Sequence, residues 1–201
     1  MKSLLAIIFL AAVLLGAWWL FFKTDASPES EPKQESIKLG KHTPAFNESV
    51  SNSVNSYLDM KSAFVEADTF NVKKEAQKFI TMMDSVKLDD LKKEDAQIVM
   101  AAQQEISDIK ANAQAILLEN DITEMRQDFR MVSENLYPFL KTIGYEGEKL
   151  YWQNCPMAFG EGKEANWLSN TEEIINPYLG KHDPQYKSAM LNCGEIKDTI
   201  K

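Results

Sequence analysis

The sequence predicts an all-α fold: an antiparallel four-helix bundle followed by an irregular C-terminal segment, behind an N-terminal membrane anchor. Three observations predict it. Residues 4–22 form an uninterrupted apolar run, residues 46–143 carry successive apolar stripes at helical spacing, and the residues after Gly144 lose that period while holding both cysteines. Short polar connections between consecutive stripes favour antiparallel packing of neighbouring helices.

The composition restricts the class of protein and of partner. A chain of 201 residues with 44% apolar residues is long enough for one domain with a buried core. With 8 Gly and 2 Cys, the chain is neither collagen-like nor rich in disulfides. The net charge is -8 and no basic stripe is present, so we expect no nucleic acid partner.

The N-terminal apolar run predicts a transmembrane signal anchor. As a helix, residues 4–22 would extend roughly 28 Å, close to the hydrocarbon thickness of a bilayer. The alternative is a cleaved signal peptide, but the run is long and ends in bulky rather than small residues. Both alternatives place residues 24–201 outside the cytoplasm. We therefore expect a single-pass inner-membrane protein with its C-terminal domain in the periplasm.

The segment after the anchor predicts a flexible linker. It is rich in Pro, Ser, Glu and Lys and cannot bury apolar surface. The expected organisation is an anchor at residues 1–23, a linker at 24–45 and a helical domain at 46–201. His42, near the end of this linker, is expected to be a tether residue rather than a metal ligand.

The first two helices are predicted by apolar residues spaced three, four and seven apart. The first helix has Asn47 as its expected N-cap, and the second follows a break at residues 68–71. Lys61 continues the first stripe by spacing alone, with its aliphatic stem along the apolar face. The two stripes are Val50, Val54, Tyr57, Leu58, Phe64 and Val65, then Val72, Ala76, Phe79, Ile80 and Met83.

A polar turn at residues 87–90 separates these helices from two longer ones. The third helix is expected to start at Leu91, and Asp121 is expected to cap the fourth. Pro138 is expected to kink the fourth helix, and Gly144 to terminate it. The two stripes are Leu91, Ile98, Ala102, Ile106, Ile109, Ala113, Ile116 and Leu117, then Ile122, Met125, Phe129, Val132, Leu136, Phe139 and Ile143.

The C-terminal region combines weak regular structure with unusual residues, a combination typical of functional segments. Residues 149–153 (KLYWQ) predict one short strand. The strings Cys155-Pro156-Met157 and Met190-x-x-Cys193 each contain one thiol and one thioether.

These sulfur atoms are the candidate ligands of a metal site. Thiolate and thioether sulfurs are soft donors, which select Cu(I) over hard cations. A C-x-M pair shares one side of an extended segment, and an M-x-x-C pair shares one face of a helical turn. If the two segments meet, Cys155, Met157, Met190 and Cys193 converge on one Cu(I), with His182 as a further ligand on the same segment.

Two other interpretations of the cysteines stay open. Two cysteines in an extracytoplasmic domain pair by default, and a Cys155–Cys193 disulfide would stabilise the fold by about 4 kcal/mol through loop entropy. They are alternatively two free buried thiols. A reducible Cys155–Cys193 disulfide would be compatible with the metal site, because only the reduced thiolates bind Cu(I). The sequence has no C-x-x-C, nucleophile elbow, phosphate loop or HExxH pattern, so we expect no enzyme.

Several strings resemble a bacterial extracytoplasmic domain of unknown function. They are Tyr57-Leu58-x-x-Lys61, Tyr151-x-x-x-Cys155-Pro156-Met157-Ala158, Ala165-x-Trp167-Leu168-Ser169, Ile175-Asn176-Pro177-Tyr178-x-Gly180 and Met190-x-x-Cys193-Gly194. That domain occurs alone behind a signal or anchor, or fused to periplasmic adaptor subunits of heavy-metal (copper/silver) efflux systems. The resemblance implies an all-α domain linked to copper handling, with an efflux adaptor or another envelope protein as partner. It brings no ligand set of its own.

Overall fold

The computed structural model describes residues 41–201, which form four α-helices and a small β-sheet. The predicted anchor at residues 1–23 and linker residues 24–40 lie outside the described residues. None of the helices between residues 41 and 201 combines the length and the apolarity that a membrane crossing requires.

The first two helices, α1 (Pro44–Val65) and α2 (Thr69–Asp84), each start at a side-chain cap. The backbone N–H of Phe46 donates to Thr43 Oγ1 at 3.3 Å. This makes Thr43 the N-cap, so α1 begins before the predicted cap, Asn47, with a proline in its first turn. The carboxylate of Asp68 caps α2 by accepting from the N–H of Asn71 at 3.0 Å.

The second pair of helices is α3 (Ala96–Leu118) and α4 (Ile122–Thr142). A short 3₁₀ helix, Leu88–Lys93, precedes α3. It contains the fully buried Leu91, which was predicted to start the third helix. The predicted N-cap of α4 is confirmed, because Asp121 Oδ1 accepts from the N–H groups of Thr123 and Glu124 at 2.8 and 3.4 Å.

The predicted apolar stripes form the core between the helices. Most of their residues are buried, and Leu58, Ile106, Leu117 and Ile122 are partly buried against the same cluster. Tyr57 is the central polar link of this core. Its hydroxyl lies 2.7 Å from Ser133 Oγ of α4 and accepts from the backbone N–H of Leu168 at 3.1 Å, while its ring stacks on Phe129. One side chain thereby joins α1, α4 and the C-terminal region.

The prediction of an all-α fold is wrong for the C-terminal region, which forms a three-stranded antiparallel sheet. Its strands are β1 (Leu150–Cys155), β2 (Ala165–Ser169) and β3 (Glu195–Ile200), in the order β2-β1-β3. The short strand predicted near residues 149–153 is confirmed as β1. The other two were missed because β2 is only 5 residues long and β3 is mostly exposed and charged, without an apolar alternation.

The two faces of the sheet have different neighbours. Alternate residues of a strand point to opposite faces. Trp152 of β1 stacks on Tyr137 of α4 with ring centroids 4.3 Å apart, so one face lies on the helices. The next residue, Gln153, donates from Nε2 to the carbonyl oxygens of Thr171 and Glu173 at 2.9 and 3.2 Å. The long segment between β2 and β3 therefore covers the other face, where both cysteines lie.

Candidate functional site

The structure brings the two cysteines together. Cys155 and Cys193 lie 38 positions apart in the chain, and their Sγ atoms are 3.0 Å apart. Both are free thiols, Cys155 fully buried and Cys193 partly buried. A bonded sulfur pair would be about 2.05 Å apart, so the geometry is that of two thiols in direct contact.

The sheet determines where each thiol lies. Cys155 is the last residue of β1, and its neighbour Asn154 pairs with Glu195 at the start of β3. Gly194, which follows Cys193, has a φ of 150°, and a Cβ there would lie 2.7 Å from the carbonyl oxygen of Asn154. The backbone can approach β1 this closely only because residue 194 has no side chain.

Asn176 fixes the segment that carries Cys193. This fully buried side chain donates from Nδ2 to the carbonyl oxygen of Cys193 at 2.9 Å. Its Oδ1 accepts from the N–H groups of Tyr178 and Leu179 at 2.8 and 3.2 Å, and its backbone N–H donates to the carbonyl oxygen of Leu191 at 2.8 Å. Asn176 therefore holds the segment with Cys193 against the turn at residues 177–179 and so positions the thiol.

The electrostatics of the pair favour the protonated thiols. Burial, together with the adjacent thiol of Cys155, raises the pKa of Cys193 to about 12. At neutral pH, Cys193 is therefore a thiol rather than a thiolate. A metal ion binding here has to displace its proton.

The two predicted methionine ligands lie close to the cysteines in the chain, but their local geometry differs from the expectation. β1 ends at Cys155, and Met157 lies in the following turn, so the C-x-M string is not extended as the sequence argument assumed. Met157 lines a cavity whose wall includes neither cysteine. Met190 lies in a turn closed by the N–H of Cys193, which donates to the Met190 carbonyl oxygen at 3.0 Å. Both methionines are partly buried against the core.

The histidines occupy other surroundings. The imidazole of His182 is 66% exposed and lies 3.9 Å from a carboxylate oxygen of Glu66. His42 is not a tether residue as predicted, because it is buried and its Nε2 donates to the carbonyl oxygen of Ile143 at 2.6 Å. Its Nδ1 lies 3.4 Å from Asp90, so packed structure begins before the predicted boundary at residue 46.

The donors around the thiols restrict the ions that fit. Between residues 41 and 201, no three His, Cys, Asp or Glu side chains lie together in a group able to hold a metal. No His, Asp or Glu side chain of residues 41–201 therefore joins the two thiols as a third ligand. The indole of the fully buried Trp167 stands beside Gly194, and its Nε1 has no hydrogen-bond acceptor within the described residues. The surface next to Cys193 is therefore aromatic on this side, and an indole has no oxygen with which to bind a metal ion.

Residues 54–147 match a family of proteins of unknown function, DUF3347. The matched region contains most of α1, all of α2, α3 and α4, and ends before β1. It supports the expectation of a domain of unknown function and does not include either cysteine. No curated protein matches the chain. No solved structure matches it either.

Two buried cations lie inside the matched region: Lys61, which the sequence placed on an apolar stripe, and Arg126, which it did not identify. Lys61 donates from Nζ to Ser169 Oγ at 3.2 Å, and burial lowers its pKa to about 8. Arg126 is 4% exposed and donates to the carbonyl oxygens of Pro177 and Phe64. Arg126 falls on an apolar face by helical spacing, as Lys61 does, and a charged residue in such a register is the signal that could have identified it.

Proposed function

We propose that the protein is a membrane-tethered periplasmic metal-binding protein, which captures Cu(I) and takes part in heavy-metal handling or efflux. The observation that supports it is the contact between Cys155 and Cys193. Two soft donors from distant parts of the chain lie 3.0 Å apart, and one of them reaches the surface. Soft sulfur donors of this kind favour Cu(I) over hard ions such as Mg²⁺ and Ca²⁺.

The number of ligands favours Cu(I) over Zn²⁺. Structural zinc sites need four protein ligands, and the chain has two cysteines. Two thiolates alone suit a linear Cu(I) ion, in which the sulfur atoms lie on opposite sides of the metal and therefore stand further apart than the observed 3.0 Å. The thiols must move apart to bind it, within reach of a change in side-chain rotamer at the partly exposed Cys193.

The thioethers are assigned as secondary ligands. Met190 shares a closed turn with Cys193, which keeps these two residues close along the backbone. Met157 follows Cys155 by two residues but faces a different cavity. We expect the two thiolates to supply most of the affinity, with Met190 next and Met157 last.

Tethering gives this function a physical advantage. A domain held at the membrane by residues 4–22 searches a restricted volume, which raises its effective concentration near an efflux adaptor or another envelope partner. The net charge of -8 also concentrates cations around the protein.

A competition titration tests the proposal. Cu(I) is added anaerobically to the reduced full-length chain in the presence of a chromogenic Cu(I) chelator. We expect the protein to withdraw one Cu(I), the Cys193→Ser and Cys155→Ser variants to lose tight binding, and Met190→Leu to weaken it. Ser188→Ala, an exposed change in the same turn, is the matched control and should bind as the parent does. Unchanged binding by the double cysteine variant would overturn the proposal.

A second candidate function is a structural or interaction module of the cell envelope, stapled by a Cys155–Cys193 disulfide. The specific observation in its favour is that thiols in contact need to approach by only about 1 Å to form the bond, a smaller movement than Cu(I) requires. Alkylation of the protein in its native compartment, followed by mass spectrometry, distinguishes the two. A fully oxidised, metal-free pair under all growth conditions supports the staple, and a reduced pair supports metal binding.

A further inference from the structure

A second candidate binding site lies in a cavity between α4 and two C-terminal loops. The cavity has a volume of about 350 Å³, within the range of small-molecule sites. Its wall contains two oppositely charged side chains and four apolar or aromatic ones, and it includes neither cysteine. These residues are Arg126, Asp183, Met157, Phe159, Tyr178 and Tyr186.

Arg126 provides a buried positive charge without a carboxylate partner. Its Nε donates to the carbonyl oxygen of Pro177 at 3.1 Å, and its Nη2 donates to that of Phe64 at 3.4 Å. No ion pair of residues 41–201 includes this guanidinium. A buried charge that is hydrogen-bonded only to neutral groups is costly, so an anion that reaches the cavity is stabilised there.

Asp183 supplies the opposite charge on the same wall. It is 9% exposed, and its Oδ1 accepts from the N–H groups of Gln185 and Tyr186 at 2.9 and 2.8 Å. Its Oδ2 forms no hydrogen bond within the described part of the chain. The carboxylate therefore keeps one oxygen for a ligand, and it is close enough to act electrostatically on Arg126 without pairing with it.

We propose that this cavity binds a small zwitterion of the α-amino acid type, with its carboxylate on Arg126, its ammonium on Asp183 and an apolar side chain against Phe159 and Tyr186. The planar guanidinium suits a carboxylate, and the free Asp183 oxygen accepts from an ammonium. A zwitterion carries one charge of each sign, as the cavity wall does with Arg126 and Asp183. An anion or a cation alone would leave one of these two side chains without an oppositely charged partner. The apolar residues then give a preference for ligands with an aromatic or aliphatic side chain.

Three ligands with the same ring test the charge pattern. L-phenylalanine carries both charges, 3-phenylpropanoate only the carboxylate and 2-phenylethylamine only the ammonium. Calorimetric titration into the full-length chain should show L-phenylalanine binding about tenfold more tightly than either of the others, equivalent to about 1.4 kcal/mol. No binding of L-phenylalanine at about 10 mM, or equal affinity for all three, would overturn the proposal.

The Asp183→Asn variant tests the assignment of the ammonium contact. The asparagine oxygen can still accept the two backbone N–H groups, so the turn at residues 183–186 is preserved while the charge is lost. We expect about a tenfold loss for L-phenylalanine and no loss for 3-phenylpropanoate. Asp128→Asn is the matched control, because it removes the same charge from α4 outside the cavity wall. An equal loss for both ligands in Asp183→Asn would contradict the assignment.

The Arg126→Lys variant tests the carboxylate contact. It keeps the charge but removes the planar pair of donors, so both carboxylate ligands should bind about tenfold more weakly and 2-phenylethylamine should not change. Because Arg126 also holds the Pro177 and Phe64 carbonyl groups, the variant is first checked by thermal unfolding. If it fails to fold, the result of Asp183→Asn decides the proposal alone.

Discussion

Oxidation of Cys155 and Cys193 is expected to stabilise the domain strongly. The thiols are already in contact, so the bond needs little rearrangement of the folded state. In the unfolded state, the same bond closes a loop between residues 38 positions apart. The loop-entropy relation then gives about 4 kcal/mol of added stability at 25 °C. For a domain of this size, that corresponds to an increase in Tm of roughly 8–16 °C.

The assay is chemical denaturation of the same protein with and without reductant. The oxidised form should unfold at a higher denaturant concentration, and alkylation before and after unfolding counts the free thiols in each sample. The Cys155→Ala/Cys193→Ala double variant is the control, since its unfolding should not respond to reductant. Cys155 is fully buried, and alanine avoids placing a polar hydroxyl there.

Two results would refute this reasoning. One is a pair that stays reduced even when the oxidant is added at high pH, where the thiolate forms, which would mean that the thiols do not meet in solution. The other is a disulfide that forms without increasing the free energy of unfolding, which would mean that the closed loop is already restricted in the unfolded chain.

Three further predictions concern the core and the thiols. Tyr57→Phe should destabilise the domain by about 1–3 kcal/mol in urea denaturation, because it leaves the Leu168 N–H buried without an acceptor. Tyr186→Phe, whose hydroxyl forms no hydrogen bond within residues 41–201, is the control and should cost under about 0.5 kcal/mol. Lys61 has a folded-state pKa of about 8, below its unfolded value, so the parent should gain about 1–3 kcal/mol of stability as pH rises from 8 towards 10.5. Lys61→Met should be more stable than the parent at pH 7, and its free energy of unfolding should not increase between pH 8 and pH 10.5. If the free energies of unfolding of the two proteins changed with pH in the same way, the result would count against a buried lysine. The Cu(I) affinity should rise about tenfold per pH unit between pH 6 and pH 8 in chelator competition, because the pKa of Cys193 is raised to about 12 and its proton must leave; an affinity independent of pH would argue that this thiol is not a ligand.

The helical part of the fold could be predicted because each helix carries its own periodic pattern. The stripe from Ile122 to Ile143 is spaced strictly three and four apart, and its members after Ile122 are fully buried. Asp121 was recognisable as a cap because an Asp directly before an apolar stripe commonly accepts hydrogen bonds from the free N–H groups of the first helical turn. Tyr178 packs on Phe129 with ring centroids 5.8 Å apart and so joins the C-terminal segment to the bundle.

The sheet and the cavity could not be predicted in the same way, because they depend on contacts between distant residues. β3 pairs with β1 across a long connection, and its residues Ile196 to Thr199 carry no burial pattern of their own. The contact between the thiols follows from that pairing together with Asn176 and Gly194. The cavity at Arg126 arises where two loops meet α4, which no local pattern encodes.

The most direct test of the central claim is X-ray absorption at the copper edge on the Cu(I)-loaded, reduced full-length chain. The account predicts a first shell made of sulfur alone, with two thiolates and at most one longer thioether contact that disappears in Met190→Leu. A first shell containing nitrogen or oxygen, or an unchanged spectrum in Cys193→Ser, would place the ion elsewhere and contradict the assignment of Cys155 and Cys193 as a copper site.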